Sequence, residues 1–141
     1  MSWLQKLRDL AGKPKTPGLT PDTPDLRVVV AAFDPAVADS DVLESSPAWV
    51  TSAPAVLTHH LSLPAGRIAE AAGILAQDGY ELREQGRDGD RVLAHAVRVQ
   101  VLDALHCAQE RARMAGLAQR LGGDALGWDA RQPGDAPTAS A

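Results

Sequence analysis

The sequence predicts an α+β fold of strand–helix–strand–strand–helix–strand order over residues 55–129 of the 141-residue chain. Three observations predict it. Residues 55–63, 80–85 and 91–99 alternate in side-chain character with the period of a strand. Residues 65–78 and 101–121 repeat apolar side chains at the spacing of a helix. Proline or glycine stands at every main junction but the one at Gln100: Pro64, Gly79, Gly86, Gly89 and Gly122-Gly123.

The first strand, 55–63, carries Leu57, His59, Leu61 and Leu63 on one face and Val56, Thr58, His60 and Ser62 on the other. Pro64 ends it and suits the first turn of a helix over 65–78, with Ile68, Ala71, Ala72 and Leu75 inward and Gly79 closing it. Residues 80–85 and 91–99 read as a hairpin about Gly86-Arg87-Asp88-Gly89-Asp90, with Tyr80 and Leu82 inward on its first strand. Its second strand is expected to turn Leu93, His95, Val97 and Val99 toward the helices. Two apolar arcs predict the long helix over 101–121: Leu105, Ala108, Ala112 and Ala115, beside Cys107, Met114, Ala118 and Leu121. A short strand over 125–129 carries Trp128. Two helices on one face of an antiparallel sheet is the ferredoxin-like arrangement for this order. Residues 26–33, rich in valine, supply an extra N-terminal strand at a sheet edge, so the α+β domain spans 26–130.

Outside that domain, residues 1–12 form an amphipathic helix with Trp3, Leu4, Leu7 and Leu10 in one stripe and Lys6 and Arg8 off it. Residues 13–25, with four prolines, read as an extended linker, and residues 131–141 as a disordered tail. Charge is segregated. Residues 1–15 carry four cations against Asp9, whereas residues 16–50 carry six acids against Arg27. No apolar run is long enough for a bilayer-spanning helix and no secretory leader pattern stands at the start. The lone Cys107 allows no intrachain disulfide. The expectation is a cytoplasmic protein.

Chemistry is sparse. His59 and His95, placed by parity on a shared inner face, form with Cys107 the one constellation of catalytic or metal-binding residue types. A zinc site there lacks a fourth ligand and a spacing motif, and no base or cation is placed beside the thiol. His59 and His60 point to opposite faces of one strand and cannot share a substrate atom. The serines lack a nucleophile elbow, and Gly86-Arg87-Asp88-Gly89 lacks the lysine ending of a phosphate loop. No cofactor, metal or catalytic set is therefore expected. RNA binding would need aromatic side chains on the open sheet face, and Tyr80 is directed inward; Arg83, Arg91 and Arg98 are expected on that face beside Glu81.

A resemblance rests on short motifs. Thr58-His59-His60-Leu61-Ser62-Leu63-Pro64, Ala71-Ala72, Asp78-Gly79-Tyr80-Glu81-Leu82, Gly122-Gly123 and Gly127-Trp128-Asp129 resemble the family of the regulator of ribonuclease E activity, type B. The chain lacks the Tyr-Asp that often precedes the Gly-Trp in that family, and its extra strand and acidic loop are similar to actinobacterial relatives. The resemblance implies a non-enzymatic regulatory or adaptor domain that binds a protein partner, with an RNA-processing ribonuclease as the implied target.

The binding candidates are the open sheet face, the acidic 34–44 loop, and the helix with Trp3, Leu4, Lys6, Leu7, Arg8 and Leu10. That helix suits a partner's groove, its own domain, or peripheral contact of residues 2–11 with a membrane surface. The alternatives are an RNA-binding module, or a small enzyme or metal site built on His59, His95 and Cys107.

Overall fold

The computed structural model describes residues 18–134. The expected N-terminal helix with Trp3, Leu4, Lys6, Leu7, Arg8 and Leu10, the start of the linker and the tail beyond residue 134 lie outside the described residues. Five strands and three helices follow in the order β1 (Leu26–Ala32), α1 (Asp39–Glu44), β2 (Pro54–Pro64), α2 (Ile68–Ala76), β3 (Glu81–Asp88), β4 (Arg91–Val101), α3 (Ala104–Arg120) and β5 (Asp124–Pro133). A single 3₁₀ turn, Ala65–Arg67, leads into α2. The strands make one antiparallel sheet in the order β1-β5-β2-β4-β3. The α+β class and the extra N-terminal edge strand are thus present. The order is not that of a simple four-stranded ferredoxin-like sheet, because β1 adds beside β5. Among the described residues no helix is long and apolar enough to cross a membrane.

The ends of these elements follow from local chemistry. Asp103 caps α3, its carboxylate accepting from the His106 backbone N–H at 2.8 Å. Two glycines of the C-terminal motif are required by close approach. A side chain at Gly123 would sit 2.2 Å from the Ser62 carbonyl oxygen. At Gly127, φ is +134° and a Cβ would meet the Ala32 carbonyl oxygen and the Phe33 ring at 2.6 Å. The hairpin loop contracts to Gly89-Asp90, because β3 continues through Asp88 after a bulge between Glu84 and Gly86. β5 runs on to Pro133, so residues 131–133 belong to the sheet and not to a tail.

All three helices lie on one face. Against α1 and the first half of α3, β1, β2 and β5 bury Val30, Ala32, Leu57, Trp128 and Ala130 with Leu43 and Cys107. Against α2 and the rest of α3, Leu61, Leu63 and Ala96 pack with Leu75, Tyr80, Met114, Leu117 and Leu121.

Two expected faces are corrected. In β4 the inward residues are Val92, Ala94 and Ala96, while Leu93 is 43 % exposed. The β2–β4 register pairs His59 with Ala96 and His60 with His95, which fixes the parity of the strand. Both alternating sets of β4 contain apolar residues, so hydropathy alone does not choose between them. In α3 the expected arc Leu105, Ala108, Ala112 and Ala115 is exposed, Leu105 by 64 %. The buried stripe is Cys107, Glu110, Met114, Leu117 and Ala118. It becomes continuous only when a glutamate is admitted to it, and its larger side chains bury more apolar area than the alanine arc does.

Glu110 is admissible because it is bonded. It accepts from the Tyr80 hydroxyl at 2.8 Å and lies 3.6 Å from Arg98, whose guanidinium sits 4.2 Å over the Tyr80 ring and donates to the Asp78 carbonyl at 2.8 Å. Arg98, expected on the open face, therefore belongs to the helix side.

The described part of the linker is not slack. Thr20 and Thr23 close a turn, the Thr23 N–H donating to the Thr20 carbonyl at 3.1 Å. Arg83 of β3 donates twice to the Asp22 carboxylate, at 2.9 and 3.2 Å. Leu26 then starts β1 at the opposite sheet edge, so the segment crosses the helix-free face. Pro21 and Leu26 lie there with Val56, Thr58 and Val97, three residues that are buried although none of the described helices covers them.

Candidate functional site

The strand β2 is buried on both faces from Ala55 to His59, and sends its two adjacent histidines to opposite faces. The β4 register then overturns the expected His59–His95 pair. His95 stands opposite His60 on the helix-free face, and His59 faces the helices. Cys107 is buried on the helix side against Trp128 and Leu57, and burial, with Asp39 and Asp103 nearby, pushes its thiol up to about 12. The set His59, His95 and Cys107 therefore does not come together. Among the described residues no group of three or more His, Cys, Asp or Glu is arranged to hold a metal ion.

The helix-free face instead assembles a strip from residues of three strands and the residue that follows β1. The His60 and His95 rings meet edge to face, 4.2 Å between centroids at 63°. Phe33, just past the end of β1, contacts the His60 ring at 4.9 Å and 73°, over the space that Gly127 leaves free. Asp129 of β5 pairs with Thr58 of β2 and places its Oδ2 at 2.6 Å from His60 Nε2. A carboxylate only accepts, so Nε2 of His60 carries the proton and donates. The other oxygen, Oδ1, lies 3.6 Å from Arg131 Nε, an ion pair too long to be a hydrogen bond. Desolvation, reinforced by the neighbouring His60, holds the His95 imidazole below its ordinary pKa. Phe33 is 47 % exposed and Asp129 is buried beneath the rings.

Chemically, this is an oriented imidazole–carboxylate pair beside a half-exposed phenyl ring and a second, partly buried imidazole. Two hydroxyl residues flank His60 on the same face of β2, buried Thr58 and partly buried Ser62. Cationic groups on this face are largely answered by acids: Arg83 by Asp22 and Glu81, Arg91 by Asp124, and Arg131 by Asp129. Tyr80 is buried on the helix side, as its parity requires. Phe33, His60 and Asp129 were not among the expected site residues. A signal for Asp129 existed, since it shares alternation with the residues flanking buried Trp128; only the β2–β5 register shows that it meets His60.

A second feature lies on the helix side. A cleft of about 550 Å³ opens between α3, β5 and the connection from β1 to α1. Ala108, Ala112 and Ala115 of the exposed α3 arc form one wall, with Leu126 and Trp128 across from them. His59 lines the cleft, 2 % exposed, and its Nε2 is buried with no hydrogen-bond partner. Burial first, then the charges of Arg98 and His60, depress its pKa to about 3, so the ring is neutral.

No protein-family model, curated protein or solved structure matches this chain.

Proposed function

We propose that the protein is a non-enzymatic regulatory or adaptor domain that binds a protein partner through the helix-free face of its sheet. The carrying observation is half-exposed Phe33 in contact with the partly buried His60 and His95 rings beside the buried Asp129 carboxylate. An exposed aromatic side chain set among partly buried rings is the composition of an interface hot spot. Paired arginines and a single exposed aromatic ring give RNA no stacking platform, which favours protein over nucleic acid.

The ferredoxin-like reading belongs to the same proposal. With β1 set aside, the remaining strands run fourth, first, third, second, and each of α2 and α3 joins two strands that flank a third. The motif resemblance to the regulator of ribonuclease E activity, type B, supports an RNA-processing ribonuclease, in the cytoplasm, as the partner to test first.

Affinity purification of the full-length protein from its host, with mass spectrometry, tests this reading. The wild type should retain a stoichiometric protein, and Phe33→Ala with His60→Ala should retain at least tenfold less of it while staying folded. Equal capture by the double variant, or no stoichiometric protein with the wild type, removes the reading.

A further inference from the structure

We propose that the cleft between α3, β5 and the β1–α1 connection is a binding site for a neutral, largely apolar small molecule bearing a hydroxyl group, which bonds His59. Three independent features support it. The first is space: about 550 Å³ lies within the range of small-molecule sites. It exists because α3 presents Ala108, Ala112 and Ala115 there, so the helix offers a shallow wall to β5.

The second feature is the unsatisfied nitrogen. A buried polar atom without a partner is a standing cost in a folded protein, and most such atoms are bonded. His59 is buried, lines the cleft, packs edge-on against Tyr80 with ring centroids 5.7 Å apart, and leaves Nε2 unpartnered and closed to water, so a turn of the ring is needed to bring it to an occupant. No partner at Nε2 fixes which ring nitrogen holds the proton. A hydroxyl both donates and accepts, so it satisfies Nε2 in either tautomer, which an ether or a carbonyl does not.

The third feature is charge. The ionic groups of the cleft are already matched: Asp39 Oδ1 accepts from Arg111 Nη1 at 3.0 Å and from Trp128 Nε1 at 3.3 Å, and Arg111 Nη2 also reaches the Asp34 carbonyl oxygen at 3.4 Å. A charged ligand would find no free counter-ion and would be desolvated without compensation. The site therefore selects for an uncharged molecule. Phe33 and Gly127 line this cleft as well as the His60 strip, so an occupant would touch the surface proposed for the protein partner.

The test uses the full-length protein at pH 7 with 2-naphthol, naphthalene and 2-naphthoate as probes, followed by NMR titration of the Ala112, Leu126 and Trp128 amides. The expected result is saturable binding of 2-naphthol, about fivefold or more tighter than naphthalene, as one added hydrogen bond gives. His59→Phe, which keeps a ring and removes the nitrogens, should bring the two affinities within twofold. Ala112→Phe, on the exposed wall, should abolish binding of both probes and leave the fold intact. The proposal is overturned by absence of saturable binding, by tighter binding of 2-naphthoate than of 2-naphthol, by a hydroxyl preference that survives His59→Phe, or by binding that survives Ala112→Phe. Because partner capture is not part of this experiment, its outcome is separate from that of the adaptor reading.

Discussion

His59 and His60 are neighbours in the chain and opposites in the fold. His59 faces the helices, buried and unbonded, with its pKa depressed to about 3. His60 faces away from them and donates to a carboxylate at 2.6 Å. The same contrast runs through the whole sheet. The helix side holds large apolar side chains and Trp128, completely buried. Among the described residues, the other side is crossed by residues 18–25, and carries half-exposed Phe33 beside an oriented polar pair. The difference teaches that one face of this sheet supplies most of the stability, while the other leaves an aromatic ring and an oriented polar pair near the surface.

The largest test of that division compares Trp128→Ala with Phe33→Ala. Trp128→Ala should lower unfolding stability by about 4 kcal/mol, from lost burial and the cavity left behind. Urea titrations of both variants measure it, and a loss under about 2 kcal/mol would put the main anchor elsewhere.

Acid should reveal His59 next. A histidine whose folded pKa lies below its unfolded value stabilises the fold fully above about pH 6.5, and that stability is lost as pH falls toward its folded pKa. The unfolded chain then binds the extra proton, so stability should fall by up to about 1.4 kcal/mol per pH unit below pH 6. His95, also depressed, acts in the same direction. His59→Phe should flatten this dependence, and an unchanged slope in that variant would assign the acid sensitivity to other groups.

A chain beginning at Asp25 removes the segment that crosses the helix-free face. It should keep its far-ultraviolet circular dichroism and lose about 2 kcal/mol, the cost of uncovering parts of Val56 and Val97. Retention of full stability would mean that those residues gain nothing from their cover. The smallest effect is expected from Phe33→Ala, below about 1 kcal/mol in urea, since the ring is half exposed. If binding through this face is right, the same variant should weaken partner capture about thirtyfold, the scale of an aromatic hot spot.

Much of this was legible in the residues. The alternation of β2 assigned Leu57, Leu61 and Leu63 to the core and separated His59 from His60, because a strand has a period of two whatever surrounds it. Gly79 and Gly122-Gly123 marked helix ends, and 26–33 gave the edge strand. Less legible was β4, whose two faces are both partly apolar, so its parity waited on the pairing of His60 with His95. In α3 the arc of Cys107, Met114, Ala118 and Leu121 was legible, but its companion was misplaced, because the buried stripe also takes in Glu110, a residue that enters a core only when Tyr80 and Arg98 are there to meet it. The site suffered most: Asp129 reaches His60 across 69 residues of sequence.

By itself, then, the sequence determined the element types, most of their ends and which residues of β2 face the core, since these depend on local periodicity and backbone chemistry. Tertiary structure alone decided the registers, the rotation of α3, the path of residues 18–25 over the sheet, and the meeting of Phe33, His60, His95 and Asp129. Those are contacts between distant segments, and their energies exist only once the strands are paired.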